Sequence, residues 1–109
     1  LVQKIMEGME NLKAENITVL DLNPIDNSIC SFFVLADGNS NTQVKAIADS
    51  VEELVRKELN DKPWHVEGQN TAEWVLMDYV DVVVHVFQKS TREFYDLEGL
   101  WGDARTTNI

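Results

Sequence analysis

Carboxylates are the first residues that could do chemistry, because paired acids bind a metal ion or move protons. Asp21 and Asp26 flank one turn, and Asp78 and Asp81 flank another. Metal-dependent nucleotidyl transfer would need a Gly-Ser turn and two acids that alternate on one strand. Here the apolar Val82 and Val83 follow Asp81, and Asp78 would lie on the opposite face of a continuous strand. We therefore expect no enzyme activity, and nucleotidyl transfer through Asp21, Asp26 or Asp81 stays the less favoured alternative.

The remaining reactive side chains are too sparse to form a site. His65 and His85 have no third ligand at helical or hairpin spacing, which argues against a metal. His85 alternates with apolar neighbours, so we expect a buried imidazole. Cys30 stands alone, which excludes an intrachain disulfide and favours a small core residue. The sequence has neither a nucleophilic serine motif nor a phosphate-binding glycine motif, and we expect no metal and no cofactor.

Aromatic residues beside acids are the more informative pattern. If 73–79 forms a strand, alternation puts Trp74, Leu76 and Asp78 on one face and Tyr79 on the other. A tryptophan at a sheet surface, with an acid two residues further on, is typical of a protein-binding hot spot. The alternative is that Trp74 fills the core.

Length and charge restrict the partners. The chain has 109 residues, with 19 acids against nine bases and a formal net charge of -10. Direct nucleic-acid binding and a polybasic membrane anchor are both disfavoured, because each needs clustered Lys and Arg. No apolar run approaches the ~20 residues of a membrane span. We expect a cytoplasmic protein with a basic partner, although a chain that starts at Leu1 leaves an organellar leader open.

Apolar spacing predicts the elements that must position these side chains. A helical stripe opens the chain, although Gly8 weakens that helix, and Ser40 with Gln43 forms a capping box before a second helix. Short β-branched runs predict the strands, and 91–98 suits a last helix. The order α-β-β-α-β-β-β-α indicates an α/β or α+β domain, a mixed sheet of about five strands with packed helices. We expect one domain over 1–104 and a loose tail over 105–109.

The same segments carry a family resemblance. The motifs are TVLDL at 18–22, DGNSNTQ at 37–43, VEG at 66–68, AEWVLMDY at 72–79, DVVVHVF at 81–87 and REFYDLEGLW at 92–101. In this order they resemble the ribosomal silencing factor family, also called RsfS or Iojap. The resemblance covers nearly the whole chain, although no single motif is diagnostic.

That resemblance implies a fold and a function. Family members have a nucleotidyltransferase-like fold without the catalytic residues. They bind the large ribosomal subunit through a protein on its intersubunit face, the fourteenth in large-subunit numbering. Occupying that surface blocks joining of the small subunit and represses translation, whereas organellar relatives act in large-subunit assembly. Members are often homodimers.

The resemblance and the strand pattern together select the candidate contact residues. We expect Trp74 and Leu76 to serve as apolar anchors and Asp78 as a charge partner. Tyr79 is included in the same ribosomal-protein-binding site, although alternation puts it on the other face. At a net charge of -10 the protein should be repelled by ribosomal RNA, so a ribosomal protein is the expected contact.

Overall fold

The fold is built on one mixed six-stranded sheet. The computed structural model describes residues 1–26, 28–102 and 104–109. The strands lie side by side in the order β3-β4-β5-β2-β1-β6. Their bounds are β1 Glu15–Asp21, β2 Phe32–Gly38, β3 His65–Glu67, β4 Trp74–Asp78, β5 Val82–Gln88 and β6 Arg105–Asn108.

Strand pairing follows from the connections. The β2 and β5 strands are parallel, and the long helix, β3 and β4 lie between them in sequence. The β4 and β5 strands, separated by three residues, pair antiparallel as their closeness predicted. The other neighbours are also antiparallel. The predicted fold class is therefore confirmed, although the sheet has one strand more than expected.

In the described part of the chain, four helices pack on the sheet. They are α1 Val2–Asn11, α2 Asn41–Leu59, α3 Lys89–Tyr95 and α4 Leu97–Leu100. The predicted capping box starts α2, since the Ser40 hydroxyl accepts the Gln43 backbone N–H at 3.1 Å. The Gln43 side chain in turn accepts the Asn39 backbone N–H at 2.7 Å. None of the helices in the described residues is long and apolar enough to cross a membrane.

The two sheet faces carry separate apolar clusters. On the first face, α1 and α2 cover a large core that includes Ile5, Val51, Val84 and Met77. On the second face, a smaller cluster surrounds Phe33 and receives Leu97 from α4. Because both faces of β2 are covered, nearly all of its residues are buried.

Gly8 has a packing role that its helix propensity does not reveal. A Cβ at this position would lie 2.8 Å from the Val51 Cα, so α1 and α2 touch backbone to backbone there. The Ser50 hydroxyl also donates to the Gly8 carbonyl at 2.8 Å. The glycine expected to weaken α1 therefore permits the close packing that holds it in place.

Two expectations for the C-terminal region were wrong. Residues 105–109 were expected to be loose, but Arg105–Asn108 forms the edge strand β6 on the outer side of β1. All four of its residues are exposed, so the sequence has no apolar pattern there. Backbone pairing holds the strand, together with side-chain contacts of Arg105 with Asp21 and of Asn108 with Thr18. The last predicted helix is divided at Asp96, whose φ of 45° ends α3 and whose side chain caps α4.

Candidate functional site

The four predicted contact residues run along β4 and one position past its end, and they do not all lie on one face. Trp74, Leu76 and Asp78 form a half-buried row on the second face of the sheet. Tyr79 points to the helix-covered core and is 6% exposed. The structure therefore brings three of them onto one surface and puts the Tyr79 side chain behind that surface.

Strand β3 extends this surface to the edge of the sheet. His65 is opposite Asp78 and Glu67 is opposite Leu76, so their side chains share the same face. Both are exposed, and their side chains lie 2.8 Å apart. We call the surface made by Trp74, Leu76, Asp78, His65 and Glu67 the open face.

Trp74 is fixed by aromatic neighbours although part of it reaches solvent. Its ring centroid lies 4.9 Å from that of Phe87 and 4.9 Å from that of Tyr95. The indole Nε1–H donates a hydrogen bond to Nδ1 of His85 at 3.0 Å. Trp74 is therefore half-buried against the smaller apolar cluster, with part of its side chain left in solvent.

Asp78 has a structural contact as well as an exposed position. One of its carboxylate oxygens accepts the Val80 backbone N–H at 2.7 Å. The Asp81 N–H then donates to the Tyr79 carbonyl at 3.0 Å, which closes a three-residue turn with Val80 at a φ of 76°. A β-branched residue is strained at such an angle, so the Asp78 contact helps to hold a costly turn.

Exposed apolar side chains flank the open face, and the sequence analysis missed most of them. At the turn end they are Ile29, Trp64 and Val80, which are 73%, 82% and 61% exposed. Ile29, Trp64 and Val80 line a shallow depression together with Asp78. Strand alternation gives no signal for them, because all three lie outside the strands.

The second exposed group lies on the two short helices. Phe94, Tyr95 and Leu100 are 80%, 52% and 73% exposed. Tyr95 connects this group to the open face by its contact with Trp74. The spacing of apolar residues over 91–98 suggested a helix with a buried side, and Leu97 alone of that segment's apolar residues is buried.

The acids considered for catalysis have separate surroundings. Asp21 accepts from the backbone and side chain of Asn23 and lies 3.6 Å from Arg105. Asp26 and Asp81 are exposed. Within the described ranges, no group of three or more His, Cys, Asp or Glu side chains is placed to hold a metal ion.

A buried ionic cluster joins α3 to the sheet, and local sequence patterns gave no sign of it. Arg92 lies 2.8 Å from Asp37 and 3.1 Å from Glu98. Its remaining hydrogen bonds go to the Thr18 hydroxyl and the Asn16 carbonyl. Burial acts to lower the pKa of the guanidinium, but the bonds to Glu98 and Asp37 outweigh it and raise that pKa.

A cavity of about 370 Å³ adjoins this cluster. All five guanidinium N–H donors of Arg92 are already used by the neighbouring oxygens. The cluster therefore has the chemistry of a structural clamp, with no guanidinium donor left for a ligand.

His85 and Cys30 are buried as predicted. Burial lowers the pKa of His85 to about 3, so the ring is neutral at physiological pH. Burial likewise raises the pKa of the Cys30 thiol. Cys30 packs in the smaller apolar cluster, where its thiol lies 3.4 Å from the Phe32 carbonyl oxygen.

Fold and surface together define a small α+β domain with one sheet face sealed by helices and the other partly open. A sequence model of the family described as "Ribosomal silencing factor during starvation" matches residues 1–109. "Ribosomal silencing factor RsfS" of Halalkalibacterium halodurans is 41% identical over 109 residues, which covers 100% of this chain and 92% of that protein. The chain belongs to the ribosomal silencing factor family, as its motifs predicted.

Two further similarities extend this result. A crystal structure of a Chromobacterium violaceum protein superimposes with a TM-score of 0.84 at 40% identity and covers 94% of this chain and 87% of that one. The mouse protein "Mitochondrial assembly of ribosomal large subunit protein 1" is 28% identical over 102 residues, covering 92% of this chain and 44% of that protein. The fold is thus shared with a solved structure, and the sequence similarity reaches an organellar protein.

Proposed function

We propose that this protein binds the large ribosomal subunit and sterically blocks joining of the small subunit, thereby repressing translation. Its contact is a protein on the intersubunit face, the fourteenth in large-subunit numbering. The observation that carries this proposal is the open face, where Trp74, Leu76 and Asp78 are half-exposed on a strand whose opposite face is buried. Membership of a family described by ribosome silencing supports the choice of target.

The composition of the open face supports a protein as the contact. Trp74 and Leu76 offer apolar area, and a partly ordered tryptophan loses little side-chain entropy on binding. Asp78 and Glu67 supply negative charge beside them. In a chain with a net charge of -10, these groups favour a basic protein over the phosphates of ribosomal RNA.

The four expected contact residues then have different roles. Trp74 and Leu76 anchor the partner, and Asp78 pairs with a basic side chain. Tyr79 supports the end of β4 from the core side, where it is 6% exposed. The exposed groups around Trp64 and Phe94 extend the contact area at either end.

Binding to isolated large subunits tests the anchor. We expect Trp74→Ala to weaken co-sedimentation at least about tenfold, as hot-spot truncations do. Leu59→Ala is the matched control, because Leu59 is a partly exposed apolar residue at the end of α2. Equal binding of a folded Trp74→Ala variant and the parent would reject Trp74 as the anchor.

The charge partner can be tested separately from the turn. Asp78→Asn keeps a side-chain oxygen that can accept the Val80 N–H but removes the charge. We expect about three- to tenfold weaker binding and a smaller dependence on salt. Asp49→Asn on the exposed surface of α2 makes the same charge change away from the open face and should leave binding unaltered.

Blocking is measured by mixing the two ribosomal subunits. Saturating protein should prevent their association, and Trp74→Ala should require a correspondingly higher concentration. Subunits that associate normally at full occupancy would contradict the steric mechanism. The same experiment done with the isolated fourteenth protein as competitor tests whether that protein is the contact.

A role in large-subunit assembly is the second candidate. The name of the mouse relative favours it, since that protein is described by mitochondrial assembly of the large subunit. This role predicts tighter binding to immature large subunits than to mature ones. Equal affinities, together with inhibited subunit joining, would favour silencing.

The oligomeric state and the compartment follow from the same proposal. The resemblance implies a homodimer, which sedimentation equilibrium over a range of concentrations can measure. We propose the cytoplasm as the compartment, because a silencing protein must be present where the ribosomal subunits join.

A further inference from the structure

Trp74 rests on a buried histidine that belongs to the next strand. His85 is paired with Leu76 across β4 and β5, and its side chain is on the same face as Trp74. The indole Nε1–H of Trp74 donates to the imidazole Nδ1 at 3.0 Å. His85 itself is 3% exposed, so a partner on the open face would touch Trp74 and not the imidazole.

This contact selects one form of the imidazole. Nδ1 can accept a hydrogen bond only when it carries no proton, so the neutral ring has its proton on Nε2. The buried Nε2 has no hydrogen-bond partner among the residues that the structure describes. Burial keeps the ring neutral, and the indole N–H of Trp74 then selects the tautomer that leaves Nδ1 free to accept.

Aromatic rings hold the imidazole in turn. Phe33 meets its ring edge to face, with centroids 4.6 Å apart. The Phe87 ring is nearly parallel to it at 6.0 Å and also stacks on Trp74 at 4.9 Å. The hydrogen bond therefore joins two rings that are packed against a common neighbour, which leaves the indole few orientations.

We propose that His85 is a positioning residue that holds the Trp74 indole in its binding orientation before the ribosomal partner arrives. The inference rests on the proposed function, because it assumes that Trp74 is the anchor. A preformed anchor has less side-chain freedom to lose on binding. Removing the acceptor should therefore weaken binding even though His85 touches no partner.

Two substitutions of similar size isolate the acceptor. His85→Asn can place a carbonyl oxygen near the position of Nδ1, whereas His85→Leu has a similar shape and no acceptor. We expect His85→Leu to bind large subunits about tenfold more weakly, the scale of leaving a buried donor unpaired, and His85→Asn to stay within about threefold of the parent. His85→Gln, whose amide reaches toward the Nε2 position, should resemble His85→Leu and serves if that variant does not fold.

A double-mutant cycle separates positioning from general destabilisation. In a Trp74→Phe background there is no indole N–H to position, so His85→Leu should weaken binding no further. An equal loss in both backgrounds would assign His85 a merely structural role. Parental binding by folded His85→Leu and His85→Gln would overturn the proposal, while a weak Trp74→Ala variant would still support the proposed function.

The indole resonance gives a readout that needs no ribosome. Trp74→Phe identifies the Trp74 Nε1–H signal among those of the three tryptophans. We expect this signal to shift and its solvent exchange to accelerate in His85→Leu but not in His85→Asn. An unchanged signal in His85→Leu would reject the positioning role even if large subunits failed to bind the parent protein.

Discussion

The two faces of the sheet put adjacent residues of one strand to different uses. Met77 faces α1 and α2 and is completely buried, whereas Leu76 faces the second side and stays half-exposed. The first face is covered by α1 and α2, which touch each other at Gly8, while short helices only partly cover the second. The comparison teaches that stability and binding can be altered separately on β4.

The largest expected effect concerns the ionic contacts of Arg92, which hold a short helix on the second face. Arg92→Met removes the charged partner of Asp37, a residue that is 3% exposed and keeps a hydrogen bond from Asn16, and should lower the free energy of unfolding by about 3–5 kcal/mol. Urea denaturation measures this loss. Arg105→Met breaks an exposed 3.6 Å ion pair with Asp21 and should cost less than about 1 kcal/mol. Similar losses in the two variants would contradict a clamp at Arg92.

The second prediction compares two adjacent residues of β4, one on each face of the sheet. Met77→Ala should cost about 2–5 kcal/mol of unfolding free energy, because it leaves a cavity beneath α2, yet large-subunit binding should persist. Leu76→Ala should cost about 1 kcal/mol and weaken binding at least about tenfold. Thermal unfolding and co-sedimentation measure the pair. If both variants lost stability and binding equally, the two faces would not act separately.

The third prediction concerns the pH dependence of stability that arises from His85, which lies beneath the open face. The pKa of His85 is lowered to about 3 by burial, whereas an unfolded histidine titrates near 6.5. Between these two pH values the unfolded chain binds more protons at this histidine than the folded protein does. The free energy of unfolding therefore has its full value above pH 6.5 and decreases as the pH falls. We expect His85 to contribute a loss of about 1.5 kcal/mol between pH 6.5 and pH 5. Urea denaturation at both pH values measures it, and the parent should lose more than His85→Asn by that amount.

The smallest expected effect concerns the turn beside the open face. Val80→Gly relieves the strain of a β-branched residue at a φ of 76° and should raise the unfolding free energy by about 1 kcal/mol. It also removes an exposed apolar side chain that lines the depression next to Asp78. A more stable variant that binds large subunits less well would sharpen the contrast between the faces. A loss of stability would show that the turn is not strained.

Period-two alternation gave the correct faces of β4 from sequence alone. The signal was strong because Val75 and Met77 are apolar and fully enclosed, while Asp78 marks the other side. The helix cap at Ser40 was equally readable, since the groups that form it lie within three residues of each other. Both patterns depend only on residues that are close in sequence, which is why the structure agrees with them.

The features that sequence patterns missed depend on long-range contacts or on the backbone. Arg92 reaches Asp37 and Thr18, which are 55 and 74 residues away, and nothing near Arg92 in sequence indicates those partners. Strand β6 is exposed on every residue, so it lacks the apolar alternation by which strands are recognised. The hydrogen bond between His85 and Trp74 joins two strands whose register sequence alone does not determine.

The contact between α1 and α2 bears on the proposed steric mechanism. An obstacle works through its height and rigidity, and the molecule measures 34 × 32 × 24 Å. With the open face against the ribosome, as proposed, α1 and α2 would point outward from the other side of the sheet, and no side chain separates the two helices at Gly8. Under the proposed function, these two helices would be the surface that keeps the second particle away, and the glycine lets them pack closely there.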